Sequence, residues 1–240
     1  MIADTRRAPG GRKTRSRLYD GGTAAGPLLS ETPSGIVMER HGANDRSVRE
    51  LEAAALVILI TGATHTRKTM LAQKLLEKYK IPYLSIDHLK MGLIRSGHTS
   101  LTPQDDAALT GYLWPIVREM VKTAVENGQH LIVEGCYIPF DWRRDFSQAY
   151  LPFIRFIGLV MTDGYIDARF DDILRHGCDI EKRLDETCSP EALKRDNRFY
   201  REGFETHGLP FTLIETDYQS AIQPLLDIDG PPPAAPSAKA

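Results

Sequence analysis

The chain has 240 residues, 42% hydrophobic and 26% charged, the balance of an ordinary globular protein; at about 150 residues per domain this is room for about 1.6 domains. Thirty Lys and Arg against 32 Asp and Glu leave a net charge of −2, without the basic footprint of proteins that neutralise nucleic-acid phosphates, so no nucleic-acid partner is expected. The longest apolar run, Ala53 to Ile60, is far short of the ~18 residues of a membrane span, and Cys136, Cys178 and Cys188 lack Cys-x-x-Cys spacing, so neither a membrane segment, a disulfide framework nor a zinc cluster is expected and a cytoplasmic address fits.

Residues 1–50 hold nine Lys and Arg against six Asp and Glu, interspersed with Gly10-Gly11, Gly21-Gly22, Pro27 and Pro33, and show little apolar periodicity. Such a stretch cannot bury enough surface to offset its ordering entropy and reads as a disordered basic extension, although residues 1–17 superficially suit a transit peptide. A single domain is expected over 51–228, followed by a disordered Pro/Ala-rich tail at 229–240. Within the domain, Leu56–Ile60 is a buried-strand run, and Met70, Leu71, Leu75 and Leu76 mark one face of a helix over 68–79. Pro82–Ile86 is a second strand ending at Asp87. A long helix is predicted from Thr102 as N-cap and Pro103 as first helical residue to Asn127-Gly128, kinked at Pro115. Strands follow at 130–133, 154–160 and 211–214, with a helix from about Tyr165. Short, continuously apolar strands separated by helix-length sequence predict an α/β fold of three layers, with five mainly parallel strands between helices.

Directly after the first strand comes Gly62-Ala63-Thr64-His65-Thr66-Arg67-Lys68-Thr69, which meets the G-x-x-x-x-G-K-T phosphate-binding pattern at all but one position. Between strand and helix the pattern has a mechanical meaning. Amides at a helix start point into the loop, the helix dipole favours anions, Lys68 would reach the β and γ phosphates, and the Thr69 hydroxyl would ligate Mg²⁺. Arg67 stands where the pattern has glycine. Either its guanidinium adds a phosphate contact, or its side chain obstructs the loop and leaves a degenerate site that binds nucleotide weakly, or binds a partner without turnover.

Two acids end strands where a doubly wound sheet presents its ligands. Asp87 would act as base toward an acceptor hydroxyl or help hold Mg²⁺, or else cap the following helix or turn. Glu134 ends the third strand as a Mg²⁺-binding acid does. His65 and His88 lack metal-ligand spacing and suit loop hydrogen bonding. A basic run then carries Arg175, Lys182, Arg183, Lys194, Arg195, Arg198 and Arg201. It is either a solvated helix face or a helical lid that brings Arg183, with Arg175 and Arg198 secondary, onto a transferring phosphate.

With these blocks in order, residues 56–218 resemble the small P-loop kinases, specifically the bacterial zeta-toxin-like, AAA-family or 2-phosphoglycerate-kinase-like ATPases. The resemblance rests on Ile60–Thr66 with Lys68-Thr69, on Leu84–Lys90, on Leu131–Pro139 and on Ile180–Arg183. It implies a P-loop NTPase fold, ATP and Mg²⁺, and phosphoryl transfer to a small-molecule hydroxyl or phosphate acceptor. Lys68 and Thr69 would be nucleotide and metal ligands, Asp87 the base and Arg183 a lid residue. Neither the acceptor nor the oligomeric state follows from it.

Overall fold

The computed structural model of the chain describes residues 55–176 and 188–228. The expected extension over 1–50, the tail at 229–240, and Lys182 and Arg183 of the predicted lid lie outside the described residues. In chain order the elements are β1 (Val57–Gly62), α1 (Lys68–Tyr79), β2 (Tyr83–Ser85), α2 (Ile86–Arg95), α3 (Asp106–Glu126), β3 (Leu131–Glu134), β4 (Ile154–Met161), α4 (Asp163–His176), α5 (Pro190–Thr206), β5 (Phe211–Ile214) and α6 (Tyr218–Ile222).

The strands form one sheet in the order β2-β3-β1-β4-β5, and every pairing is parallel. Because both faces are covered, alternate residues of β1 enter different cores. Val57 and Leu59 pack with Leu113, Val117 and Val121 of α3 and with Phe204 of α5, while Ile58 and Ile60 pack with Leu71 and Leu75 of α1, Ile166 of α4 and Ile222 of α6. The result is the three-layer α/β fold expected from the sequence. From β1 the chain runs out to β2, returns to β3 between them, then crosses to β4 on the other side of β1. The sheet therefore splits its connections at the carboxyl ends of β1 and β3, where open α/β sheets hold ligands. Ile60 pairs with Glu134, and Ser85 of β2 with the same Glu134, so three strand ends meet there.

The long helix starts later than predicted. Thr102 is not its N-cap: the Thr102 amide and hydroxyl both donate to Asp105 Oδ2, at 2.7 and 2.8 Å, and α3 begins after Asp105. A carboxylate accepts both bonds, which turns Thr102 from acceptor into donor and holds the Asp105 carboxyl below its usual range. Helix α3 continues through Pro115 from Asp106 to Glu126, carried by its buried stripe Leu109, Leu113, Trp114, Val117, Val121 and Ala124. Helix α2 begins at Ile86, directly on the end of β2, and α4 bends at Arg169 (φ −129°, ψ 18°).

Helix α5 is set by an aromatic cluster. Phe140 contacts Phe199, Tyr200, Phe204 and His207, and a Cβ added at Gly203 would lie 2.3 Å from its ring. Glycine inside this helix allows that close approach, and with it the helix comes down onto the sheet beside β4.

Candidate functional site

The loop between β1 and α1 is shaped by its backbone. At Gly62 (φ 148°) a Cβ would lie 2.1 Å from the Leu159 carbonyl oxygen, so the neighbouring strand admits glycine alone. His65 (φ 66°) and Arg67 (φ 57°, ψ 39°) are left-handed. Arg67 thus adopts the backbone that glycine supplies in the sequence pattern, at a cost of about 1–2 kcal/mol. It is compensated from α6: the Tyr218 hydroxyl donates to the Arg67 carbonyl at 2.8 Å, and the guanidinium lies over the Tyr218 ring, 5.0 Å from its centroid. The arginine side chain is therefore drawn to the β5–α6 side of the loop.

Lys68 occupies the loop itself. It is buried, and its ammonium donates to the carbonyls of Gly62 (3.1 Å) and Ala63 (2.8 Å). Thr66 Oγ1 also donates to the Ala63 carbonyl, at 2.8 Å. The Thr64 amide donates to Asp196 Oδ2 of α5 at 2.7 Å. Thr69 stands half-buried in the first turn of α1. A buried ammonium at the start of a helix, in a loop that directs an amide at a carboxylate, has the chemistry to receive an anion.

The two predicted acids follow β2 and end β3, the strands beside β1 on one side of the sheet. Glu134 is 1% exposed at the end of β3, in register with Ile60. Asp87 is in the first turn of α2, whose N-cap is Ser85, so it does not cap that helix. Its Oδ1 accepts from Lys90 Nζ at 2.6 Å; Lys90 also donates to the Tyr137 hydroxyl (2.9 Å), and Tyr137 donates to Asp106 Oδ1 (3.1 Å). A chain of polar groups thus runs from α2 through the β3 loop to the start of α3. On the far wall the Tyr200 hydroxyl donates to the Cys136 carbonyl at 2.8 Å. Burial, and then the neighbouring carboxylates Asp87 and Asp106 for Tyr137, push both tyrosines well above the usual phenol range, so they remain hydroxyl donors. Burial likewise pushes the Cys136 thiol up, against the pull of Lys68.

Lys90, Asp106, Tyr137, Asp196 and Tyr200 were not singled out by sequence reasoning. For Lys90 a signal existed, since it follows Asp87 by one helical turn once α2 is recognised. Asp196 lies 132 residues beyond Thr64 and had no local signal.

On the other flank of Arg67 is a pocket of about 220 Å³ that includes His65, Thr66, Tyr165, Arg169, Asp217 and Tyr218 in its lining. His65 faces this pocket, and His88 is in the first turn of α2 beside Asp87; among the described residues no group of three or more His, Cys, Asp or Glu could hold a metal. The residues expected to hold Mg²⁺, Thr69, Glu134 and Asp87, would offer one hydroxyl and two carboxylates, all hard oxygen ligands. That fits Mg²⁺, which takes one or two carboxylates and completes its shell with phosphate and water. Of the basic residues of α4 and α5 that fall within the described part, Arg169 (3.4 Å) and Arg175 (3.0 Å) pair with Asp172, Arg201 with Glu205 (2.9 Å), Arg198 with Asp163 and Lys194 with Asp167. Arg195 is exposed on α5. No described helix is long and apolar enough to cross a membrane.

No protein-family model matches the sequence, and a search of curated proteins finds no match. Solved structures do resemble the chain. Shikimate kinase from Acinetobacter baumannii in complex with shikimate is 16% identical over 75% of this chain and 97% of its own, with a TM-score of 0.47. A sugar kinase from Janibacter sp. HTCC2649 is 15% identical over 72% of this chain and 92% of its own (TM-score 0.44), and a gluconokinase from Sinorhizobium meliloti 1021 is 12% identical over 71% and 89% (TM-score 0.43).

Proposed function

We propose that the chain is a phosphotransferase that moves a phosphoryl group from ATP to a small-molecule hydroxyl or phosphate acceptor. The observation that carries this reading is the β1–α1 loop: Lys68 buried within it, its ammonium on the Gly62 and Ala63 carbonyls, at the topological switch of a parallel sheet. Lys68 would exchange these two neutral carbonyls for phosphate oxygens, a stronger, charge-assisted contact. The pocket beside Arg67 and Tyr165 suits the base of the nucleotide, with the Arg67 guanidinium and the Tyr165 ring in its wall. On the opposite flank Asp87 would orient the acceptor hydroxyl and accept its proton, while Lys90 and Tyr137 hold the carboxylate in place. Thr69 and Glu134 would hold Mg²⁺, which supplies charge neutralisation of the phosphates when bound. Positioning and charge stabilisation are what phosphoryl transfer asks of a protein.

A second reading, a loop that no longer supports turnover, is motivated by Arg67 alone. The stacking of Arg67 on Tyr218 supports the active reading over it, because the side chain is held beside the loop while Lys68 fills the interior.

The test is transfer of labelled γ-phosphate to a panel of sugars, polyols and phosphorylated metabolites, with ATP·Mg²⁺ affinity measured by calorimetry. Transfer to one acceptor class, with affinity reduced about 100-fold in Lys68→Ala, is expected from the loss of a charge-assisted contact. Tight ATP binding without transfer to any acceptor, by a chain that also lacks ATP hydrolysis, would leave the second reading instead.

A further inference from the structure

An anion-binding loop without its anion usually leaves amides facing solvent; here one is taken. The Thr64 amide donates to Asp196 Oδ2 at 2.7 Å, and the carboxylate comes from α5, a different layer of the molecule. The contact is not a loosely placed surface side chain. The next residue, Asn197, is 1% exposed and pinned on both sides: its Oδ1 accepts from the Met161 amide at the end of β4 (2.7 Å), and its Nδ2 donates to the Leu193 carbonyl (2.8 Å). Ion pairs from Arg198 to Asp163 and from Lys194 to Asp167 fasten the same turns to α4, and Tyr200, one turn on, donates to the Cys136 carbonyl. The backbone that carries Asp196 is therefore fixed, and what is fixed is a negative oxygen at a loop amide. Within that setting only the side chain can leave.

We propose that Asp196 is a built-in occupant of the phosphate loop, holding the Thr64 amide until a polyphosphate displaces its carboxylate by rotation of the side chain. This deepens the reading of the loop as a nucleotide site and rests on it. Two consequences follow from charge alone. The loop keeps its shape when empty, because one of its amides has a partner, and any polyphosphate that binds must break a charge-assisted hydrogen bond and overcome a like charge at its edge. Asp196 thereby lowers affinity for every polyphosphate equally, with or without a base, and sets a threshold concentration for occupancy.

The experiment compares the full chain with Asp196→Asn, which keeps an acceptor without the charge, Asp196→Ala, which removes both, and Asp163→Asn, which loosens the α4–α5 ion pair away from the loop. Calorimetry uses sodium tripolyphosphate and, separately, ATP·Mg²⁺; hydrogen exchange reads the Thr64 amide in the ligand-free chains. Expected are tripolyphosphate affinities about tenfold or more tighter for both Asp196 variants, unchanged affinity for Asp163→Asn, and faster Thr64 exchange in Asp196→Ala. If tripolyphosphate tightens in this way but ATP is not bound by any chain, the Asp196 proposal stands and the nucleotide reading falls. If ATP binds equally well to native and Asp196 chains, or more weakly to the variants, the proposal is overturned while the nucleotide reading stands. If no chain binds either probe, both are overturned, and unchanged Thr64 exchange in Asp196→Ala overturns the proposal whatever the affinities.

Discussion

Two residues of the β1–α1 loop test opposite sides of the same physical rule. At Gly62 the Leu159 carbonyl leaves no volume for a Cβ, so Gly62→Ala should cost about 3 kcal/mol or more, seen as a lowered urea midpoint at unchanged slope. At Arg67 the left-handed backbone accepts a side chain because space exists toward Tyr218. Arg67→Gly relieves about 1–2 kcal/mol of backbone cost and loses a cation–π contact of similar size, so its stability should be near native. Its binding should separate the two halves of the ligand: ATP weakened several-fold as the stacking cation leaves the base pocket, tripolyphosphate unchanged, both read by calorimetry. The sequence left two outcomes open for Arg67, a phosphate contact or obstruction of the loop; in the structure its guanidinium lies over the Tyr218 ring. A tyrosine 151 residues away draws it aside, and nothing local to the loop announces that partner.

At the level of elements, the strands were legible because burial on both faces writes itself as continuous apolar runs, and the β5 run at 211–214 matches its bounds. Helix ends were less so. Thr102-Pro103 carries the usual start signals, yet Asp105 captures the Thr102 hydroxyl and starts α3 three residues later. Pro115 lies inside α3, with the buried stripe from Leu109 to Ala124 on both sides of it. The price is the missing amide of Pro115 at an exposed position. Pro115→Ala should therefore raise stability by about 1–3 kcal/mol, measured as an increase in thermal midpoint. Helix α2 was missed because β2 and α2 join without a loop: Ser85 ends the strand and Ile86 starts the helix. That junction changes Asp87 from the end of a strand to the first turn of a helix, and so gives it Lys90 as a partner.

For the molecule as a whole, buried phenols make a prediction about alkaline stability. Tyr137, Tyr200 and Tyr218 have folded pKa values raised above the ordinary 10.0, chiefly by burial. The folded chain then holds protons that the unfolded chain releases, so the stabilisation is complete below about pH 10 and is lost as pH rises from there toward the folded values. Urea midpoints should hold from about pH 8 to about pH 9.5 and fall as pH rises past about 10, and a Tyr137→Phe/Tyr200→Phe double variant should show a flatter profile. The site draws on the whole sheet in the same way. Its loop follows β1, Glu134 ends β3, Asp87 stands in the first turn of α2, Asp196 comes from α5, and the second pocket from α4 and the β5–α6 connection.

The amino-acid sequence alone determined the layered α/β fold and the positions of the β1–α1 loop and of Glu134, because each is encoded by neighbours: an apolar run, a run of eight residues, an acid after a strand. Only the tertiary structure decided how these parts are used. The left-handed Arg67 turned onto Tyr218, the Lys90–Tyr137–Asp106 chain behind Asp87, and the carboxylate of Asp196 on the Thr64 amide are contacts between residues far apart in the chain. Local pattern fixes which groups a segment offers; long-range packing fixes which of them meet, and charge and hydrogen bonding act only between groups that meet.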